Sequence, residues 1–188
     1  MDFDKLLEKR ISIKKYSSKK PPLDKVMEAI EAANMAPAAG NLQILKYIIV
    51  ENPETISKIA DACQQQFIKD TPYVIVVCSD LKQVKKLYDI RADKYLKHNA
   101  GAAVNNFLLK ITDLGLASNW VGAFSVTTIR NALQIPDNIN VEVILPVGYE
   151  LIKGKTKPRY KHTLTNKVFS ETWQNKYKPF AKIRRADV

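Results

Sequence analysis

The run Tyr73-Val74-Ile75-Val76-Val77-Cys78 constrains the fold more than any other stretch of the chain. A continuous apolar run of this length, with no alternation of polar residues, is typical of a β-strand that is buried on both faces. Amphipathic helical patterns lie on either side of it: Pro53 begins one, and the most apolar one runs from Asn99 to Leu114. Further strand patterns cover residues 46–51, 117–121 and 141–147. The chain is therefore predicted to form a single α+β domain.

Several local signals predict how these elements begin, end and pack. Pro21-Pro22 opens a helix, and its predicted inward side carries Leu23, Val26, Met27 and Ile30. Thr127 or Thr128 is predicted to cap a short helix. Pro146 lacks a backbone donor, so we expect the last strand to end at an edge or a bend there.

Composition sets the broad class. The chain has 188 residues, 46% of them hydrophobic and 26% charged, which is typical of a soluble globular protein. It contains no apolar run long enough for a membrane span and begins with an acidic segment unlike a secretory signal, so we expect a cytoplasmic protein with no membrane partner. Cys63 and Cys78 both lie in apolar patterns, which favours a structural role in the core over redox or metal chemistry.

The net charge of +11 indicates an anionic partner. Nucleic acid is one candidate, but the basic residues are spread along the chain and match no nucleic-acid module, so we regard it as unlikely. Phosphorylated small molecules explain the charge equally well. Charge alone leaves both alternatives open.

The stretch Met35-Ala36-Pro37-Ala38-Ala39-Gly40-Asn41-Leu42-Gln43 joins a helical pattern to a strand pattern. Pro37 ends the helix, and Gly40 permits backbone angles that other residues rarely adopt. Ala38 and Ala39 are small enough for a ligand to approach the backbone, while Asn41 and Gln43 offer amide donors and acceptors. On its own the stretch is more typical of an ordinary helix-to-strand turn than of a ligand site.

Arg10, Ser12 and Lys14 alternate along a polar segment. In an extended conformation their side chains share one face, and a guanidinium, a hydroxyl and an ammonium together suit a phosphate group. A solvated basic loop is the alternative. Arg159 and Lys161 repeat the alternation inside a basic tail, where a purely solvated role is more plausible still.

In order and spacing, these stretches resemble the FMN-dependent nitroreductase family over nearly the whole chain. Members carry a basic R-x-S-x-[RK] segment, a P-[SA]-x-x-N-x-Q loop and a later basic R-x-[KR] pair, all of which are present here. Leu114-Gly115-Leu116, the Gly122 turn and Gly148-Tyr149 match further family features. The chain departs from the family in having Ala38 and Ala39 where serine is frequent.

The resemblance implies a nitroreductase-like fold with a central mixed, mostly antiparallel sheet flanked by helices. It also implies a homodimer that binds FMN at the subunit interface. Residues 1–188 would form one domain, in which 153–188 is a basic extension that packs on the partner. The cofactor-binding residues implied are Arg10, Ile11, Ser12, Lys14, Pro37, Ala38, Ala39, Asn41, Gln43, Gln64, Gln65, Val121, Gly122, Ala123, Arg159 and Lys161.

Among these, Arg10, Ser12 and the pair Arg159 and Lys161 would hold the phosphate. Lys14 and Asn41 would face the polar edge of the flavin ring. No metal and no catalytic side chain is expected, because the flavin carries the hydride from NAD(P)H to a nitroaromatic or quinone-type electron acceptor. Alternatives are a family member that dehalogenates or that fragments flavin, a flavin-binding protein without turnover, and a nucleic-acid-binding protein.

Overall fold

A computed structural model describes residues 2–152 and 167–176. Six α-helices and four β-strands are seen in this part of the chain. The helices are α1 (Phe3–Lys9), α2 (Leu23–Asn34), α3 (Pro53–Ala62), α4 (Leu81–Tyr88), α5 (Ala92–Asp113) and α6 (Val126–Leu133). The strands are β1 (Leu45–Val50), β2 (Tyr73–Asp80), β3 (Ala117–Ser118) and β4 (Ile139–Gly148).

The four strands form one sheet in the order β1-β2-β4-β3. All three pairings are antiparallel, with Ile49 opposite Ile75, Val76 opposite Ile144, and Ser118 opposite Val147. The predicted α+β class with a mostly antiparallel sheet is confirmed, and β2 is buried along almost its whole length as its unbroken apolar run predicts.

Helices cover both faces of the sheet because successive side chains of each strand point to opposite sides. On one face, Ile75 and Leu145 pack in a cluster with residues of α2 and α5, including Val26 and Phe107. On the other face, Val76 and Ile144 pack with residues of α3 and α6. The domain therefore has two apolar layers with the sheet between them.

Two sequence predictions about helix packing need correction. The buried side of α2 is formed by Val26, Ala29, Ile30 and Ala33. Leu23 and Met27, which were predicted to face inward, are 41% and 43% exposed. The long helix α5 begins at Ala92 and not at Asn99, so Asn99 lies inside the helix on its buried side.

Two further corrections concern the second half of the domain. Ser125, and not a threonine, caps α6 by accepting a hydrogen bond from the amide of Thr128. The edge strand β3 is only two residues long, and Val121 forms an isolated bridge to Ile144. Pro146 lies opposite Val74 in β4, an interior strand of the sheet that continues to Gly148. On its other side β3 pairs only with Val147 and Gly148, so Pro146 is paired with a strand on one side.

The chain divides into two compact units, Met1–Lys157 and Pro158–Val188. In the second unit, Phe169 bridges to Lys176, and its ring lies 4.8 Å from that of Trp173. The single domain over 1–188 and the packing of 153–188 on a partner remain predictions. Within the described ranges, every helix is too short or too polar to cross a lipid bilayer.

Candidate functional site

The segment from Arg10 to Tyr16 is extended and lies beside the edge strand β3. Arg10 leaves α1 with extended backbone angles, the amide of Ile13 donates to the carbonyl of Ser118 at 3.1 Å, and Tyr16 bridges to Glu150. Ile13 is buried, whereas Ser12 and Lys14 are exposed. The predicted alternation is therefore present: Ser12 and Lys14 share the outer face, and Arg10 lies half-buried at the start of the segment.

The opposite face of this segment borders a cavity of about 270 Å³. Ile11 and Ile13 line it together with Thr112 near the end of α5 and Leu116. Ile11 was predicted to contact the cofactor through its place in the motif, and its half-buried side chain belongs to this apolar side. The cavity is thus separate from the polar face that carries Ser12 and Lys14.

Lys14 lies beside a short 3₁₀ turn that follows α3. Its ammonium nitrogen is 5.6 Å from the centroid of the Phe67 ring. Gln64 and Gln65 immediately precede this turn. Gln64 is exposed in a left-handed conformation (φ 53°), while Gln65 is half-buried and donates its backbone amide to the carbonyl of Ala60. The structure therefore places Lys14 near the predicted glutamines.

The turn Val121-Gly122-Ala123 lies on the same side of the molecule. Val121 is buried in the apolar cluster that also contains Cys63 and Phe67, and Gly122 and Ala123 are exposed. Just beyond it, the amide of Ser125 donates to the carbonyl of Ala62 at 2.9 Å, which fixes the turn against the end of α3. Lys14, the glutamines and this turn form one group of predicted residues, hereafter the basic-face group.

The loop Pro37–Gln43, hereafter the small-residue loop, lies elsewhere. It contains a short 3₁₀ turn in which Gly40 has φ 61° and Asn41 has φ 54°. Pro37, Asn41 and Gln43 are exposed, and Ala38 and Ala39 are half-buried. The expected left-handed glycine is confirmed, and the adjoining Asn41, a residue type that tolerates this conformation, shares it.

Helices α4 and α5 hold this loop. The amide of Ala39 donates to the side-chain oxygen of Asn99 at 2.9 Å. A Cβ atom added to Gly40 would lie 2.9 Å from the hydroxyl oxygen of Tyr88. The small-residue loop is therefore packed closely between a buried amide and an aromatic side chain, and a residue with a Cβ atom at Gly40 would require the Tyr88 side chain to shift.

Within one copy of the chain, the basic-face group and the small-residue loop are far apart. The loop contacts Asn99, whereas Ile11 and Ile13 share a cavity with Thr112, about 20 Å further along α5 at 1.5 Å per residue. The loop also leads into β1, at the sheet edge opposite β3, about 14 Å away across three strand spacings. The structure thus brings the predicted residues together in two groups and not in one.

The remaining sequence predictions concern the basic pair in the tail, the two cysteines and metal binding. Arg159 and Lys161 lie outside the described residues. Cys63 and Cys78 are both buried and free, and burial raises the pKa of each thiol to about 11. In the described ranges no group of three or more histidine, cysteine or acidic side chains is arranged to hold a metal ion.

Asn99 is a residue of the loop environment that sequence reasoning missed. The sequence pattern put Asn99 at the start of the most apolar helix and gave it no contact with the loop. Its burial could have been predicted from the helical period. A 3.6-residue period puts Asn99 on the same, buried side of the helix as Ala92, Leu96, Ala103 and Phe107. An asparagine on that side needs a hydrogen-bond partner, and Ala39 supplies one.

The fold and these two surfaces define the class of protein: an α+β domain with an antiparallel sheet and two separate groups of predicted cofactor-binding residues. The family model described as "Nitroreductase family" matches residues 7–70 and 62–149. The chain belongs to the nitroreductase family, as its motifs predict.

Individual relatives agree with this assignment. The chain is 32% identical over 150 residues to an Archaeoglobus fulgidus protein named "Putative NADH dehydrogenase/NAD(P)H nitroreductase", covering 77% of this chain and 83% of the relative. It is 24% identical over 181 residues to the iodotyrosine deiodinase of Thermotoga neapolitana, covering 82% and 90%. A solved structure of an FMN-dependent nitroreductase from Clostridium difficile R20291 superposes with a TM-score of 0.74 at 25% identity, covering 89% of this chain and 98% of that one.

Proposed function

We propose that this chain is an FMN-dependent oxidoreductase that takes reducing equivalents from NAD(P)H and passes them to nitroaromatic or quinone-type acceptors. The observation that carries the proposal is the exposed face of Ser12 and Lys14, in a chain of the nitroreductase family. The names of the Archaeoglobus and Clostridium relatives support the reaction class and the cofactor.

The residues present fit FMN in their chemistry. The outer face of the 10–14 segment offers a hydroxyl and an ammonium, with the Arg10 guanidinium at its start, and a phosphate group needs such donors. The small-residue loop offers exposed backbone and the Asn41 amide, which suit the ring and ribityl chain. FMN, when bound, supplies the hydride chemistry, so no nucleophile of this chain is required.

In this proposal each side chain binds or orients. Arg10 and Ser12 hold the phosphate, together with Arg159 and Lys161. Lys14 would lie near the polar edge of the ring, where its positive charge would stabilise the reduced flavin. The exposed turn at Gly122 would bring backbone donors toward the N5 side of the flavin.

The distance between the basic-face group and the small-residue loop supports a homodimer in which two copies complete each site. The loop of one protomer would then face the basic-face group of the other, so that Lys14 and the partner's Asn41 contact the same ring. Exposed apolar residues on α1 and α2, namely Phe3, Leu7, Leu23 and Met27, supply surface for such an interface.

An absorbance spectrum of the purified protein tests the cofactor proposal. We expect flavin bands, or their recovery when FMN is added, and anaerobic bleaching by NADH or NADPH. A colourless protein that takes up no FMN contradicts the proposal. If flavin bands are present but neither NADH nor NADPH bleaches them, the protein binds flavin without catalysing this reaction.

Reductive dehalogenation is the second candidate, because the Thermotoga relative is named an iodotyrosine deiodinase. Stopped-flow reoxidation of the pre-reduced protein separates the two candidates. Faster reoxidation by iodotyrosine than by a nitroaromatic or a quinone favours dehalogenation, and the reverse order favours the first proposal.

A further inference from the structure

Asn99 is a polar residue on the buried side of α5. Its side chain is 5% exposed, and Leu96, Ala100 and Ala103 around it are buried too. A carboxamide in such surroundings is unfavourable unless it is hydrogen-bonded. Its oxygen has a partner, since it accepts from the amide of Ala39 at 2.9 Å.

The orientation of this amide follows from its partner. The backbone nitrogen of Ala39 is a donor, so the Asn99 atom that faces it must be the oxygen. The nitrogen Nδ2 is then the buried atom, and it has no hydrogen-bond partner among the described residues. Packing alone would favour an apolar residue here, so the bond to the loop is the interaction that the asparagine provides.

Within the loop, no backbone carbonyl accepts the Ala39 amide in the described structure. Its internal backbone bonds run from Asn41 to the carbonyl of Ala38 and from Leu42 to the carbonyl of Ala39. Both fix the second half of the loop. The start of the loop is fixed from outside, by Asn99.

Tyr88 limits the loop from the other side. Its hydroxyl oxygen lies where a Cβ atom on Gly40 would be, and its ring meets Tyr95 of α5 edge-on at 4.6 Å between centroids. The loop is thus held between a hydrogen bond from α5 and a ring of α4 that packs on α5.

We propose that Asn99 is a positioning residue for the small-residue loop: by accepting the Ala39 amide it holds Ala38–Asn41 in the conformation that receives the cofactor, with Tyr88 closing the opposite side. The role of the loop in cofactor binding rests on the proposed function. The hydrogen bond itself, and the order that it imposes on the loop, are independent of the proposed function.

Amide hydrogen exchange at Ala39 in the flavin-free protein tests the positioning role. In Asn99→Ala we expect exchange to rise roughly tenfold, since a hydrogen bond is lost. Asn99→Asp keeps an acceptor oxygen and should remain near the wild-type rate. Asn105→Ala removes an exposed asparagine from the same helix and should change nothing. Unchanged exchange in Asn99→Ala overturns the proposal, as does equal exposure of the amide in Asn99→Asp and Asn99→Ala.

A measurement on the wild-type protein covers the case in which Asn99→Ala does not fold. Scalar coupling through the hydrogen bond, from the Ala39 amide nitrogen to the Asn99 carboxamide carbon, should be detectable by NMR. Its absence contradicts the bond itself.

FMN titration then connects positioning with the cofactor. We expect Asn99→Ala to weaken FMN binding roughly tenfold and Asn99→Asp to recover most of that loss, with a normal far-UV spectrum in both. Wild-type protein that binds no FMN, yet shows the Ala39 exchange pattern, refutes the proposed function and leaves the positioning role standing. Wild-type FMN affinity in Asn99→Ala, despite faster exchange, refutes the link between the two.

Discussion

The ammonium nitrogen of Lys14 lies 5.6 Å from the centroid of the Phe67 ring. The two residues are far apart in sequence, and their contact joins the extended segment at 10–16 to the 3₁₀ turn after α3. An exposed cation–π contact of this kind contributes about 0.5–1 kcal/mol. The contact also fixes where the Lys14 charge lies, at the 3₁₀ turn that follows Gln64 and Gln65.

We expect Lys14→Gln to weaken FMN binding by about tenfold or more, since hydrogen bonds to charged groups are worth about 1.5–3 kcal/mol. Fluorescence titration of FMN measures this effect. Lys15→Gln is the matched control, because it removes the same charge from the exposed neighbour on the same segment. Equal losses in the two variants would mean that only net charge matters.

The same variant should change the reduction potential of bound flavin. A positive charge near the polar edge of the ring favours the reduced state, so Lys14→Gln should lower the midpoint potential by about 30 mV, which equals about 1.4 kcal/mol for a two-electron couple. Spectroelectrochemistry of the reconstituted variant measures it. An unchanged potential places Lys14 at the phosphate and not at the ring.

Replacing Gly40 with alanine should destabilise the domain by about 1–3 kcal/mol. One part is the left-handed backbone at φ 61°, which costs a non-glycine residue about 1–2 kcal/mol. The other part is the 2.9 Å approach of the new Cβ to the Tyr88 hydroxyl oxygen. Urea unfolding measures the total.

The double variant Gly40→Ala/Tyr88→Phe separates the two parts. Phenylalanine removes the oxygen but leaves the backbone strain, so the second substitution should recover only part of the loss. Full recovery would mean that the backbone accommodates alanine, and no recovery would mean that the tyrosine ring had already moved aside.

Cys63 and Cys78 should resist thiol reagents in the folded protein. Burial raises both pKa values to about 11, so at about pH 8 only about one thiol in a thousand is ionised, and the thiolate is the reactive form. A chromogenic thiol assay should find both groups in concentrated guanidinium and neither without it. Rapid labelling of either cysteine in the native protein would contradict the burial described here.

Mixing two defective variants tests the shared site. Lys14→Gln and Asn41→Gly each alter one half of it, and glycine preserves the left-handed backbone at position 41. If one site uses Lys14 of one protomer and the partner's Asn41, a mixed dimer contains one intact site and one with both defects. Mixed dimers should regain about half of the wild-type high-affinity FMN sites; no recovery after confirmed subunit exchange would put both residues in the same protomer.

Much of the fold followed from local patterns. The unbroken run at Tyr73–Cys78 predicted the central strand, and the helical pattern predicted from Asn99 to Leu114 lies in α5, which Gly115 follows with φ 73°. The errors arose where tertiary contacts override local signals. Pro146 suggested an edge, yet it lies opposite Val74 in the interior strand β4. The pairing of β3 with β4 stops at Val147, so no β3 residue needs a backbone donor from Pro146.

In the candidate site, too, local features could be predicted from the sequence and long-range contacts could not. Alternation in the 10–14 segment and the left-handed Gly40 follow from sequence, because each depends on neighbours in the chain. The contacts Lys14–Phe67, Ala39–Asn99 and Gly40–Tyr88 join residues that are distant in sequence. No local pattern specifies such pairs, and only the packed structure shows that the predicted residues fall into two groups.

The separation of those groups along α5 has a consequence for the protein in dilute solution. If each cofactor site needs two chains, FMN binds the assembled form and not the lone chain, so binding and assembly are linked by mass action. The fraction of chains that carry flavin would then fall on dilution, even when the FMN concentration is well above its Kd for the dimer. Conversely, added FMN would draw single chains into dimers, making the cofactor a regulator of how much of the protein is assembled.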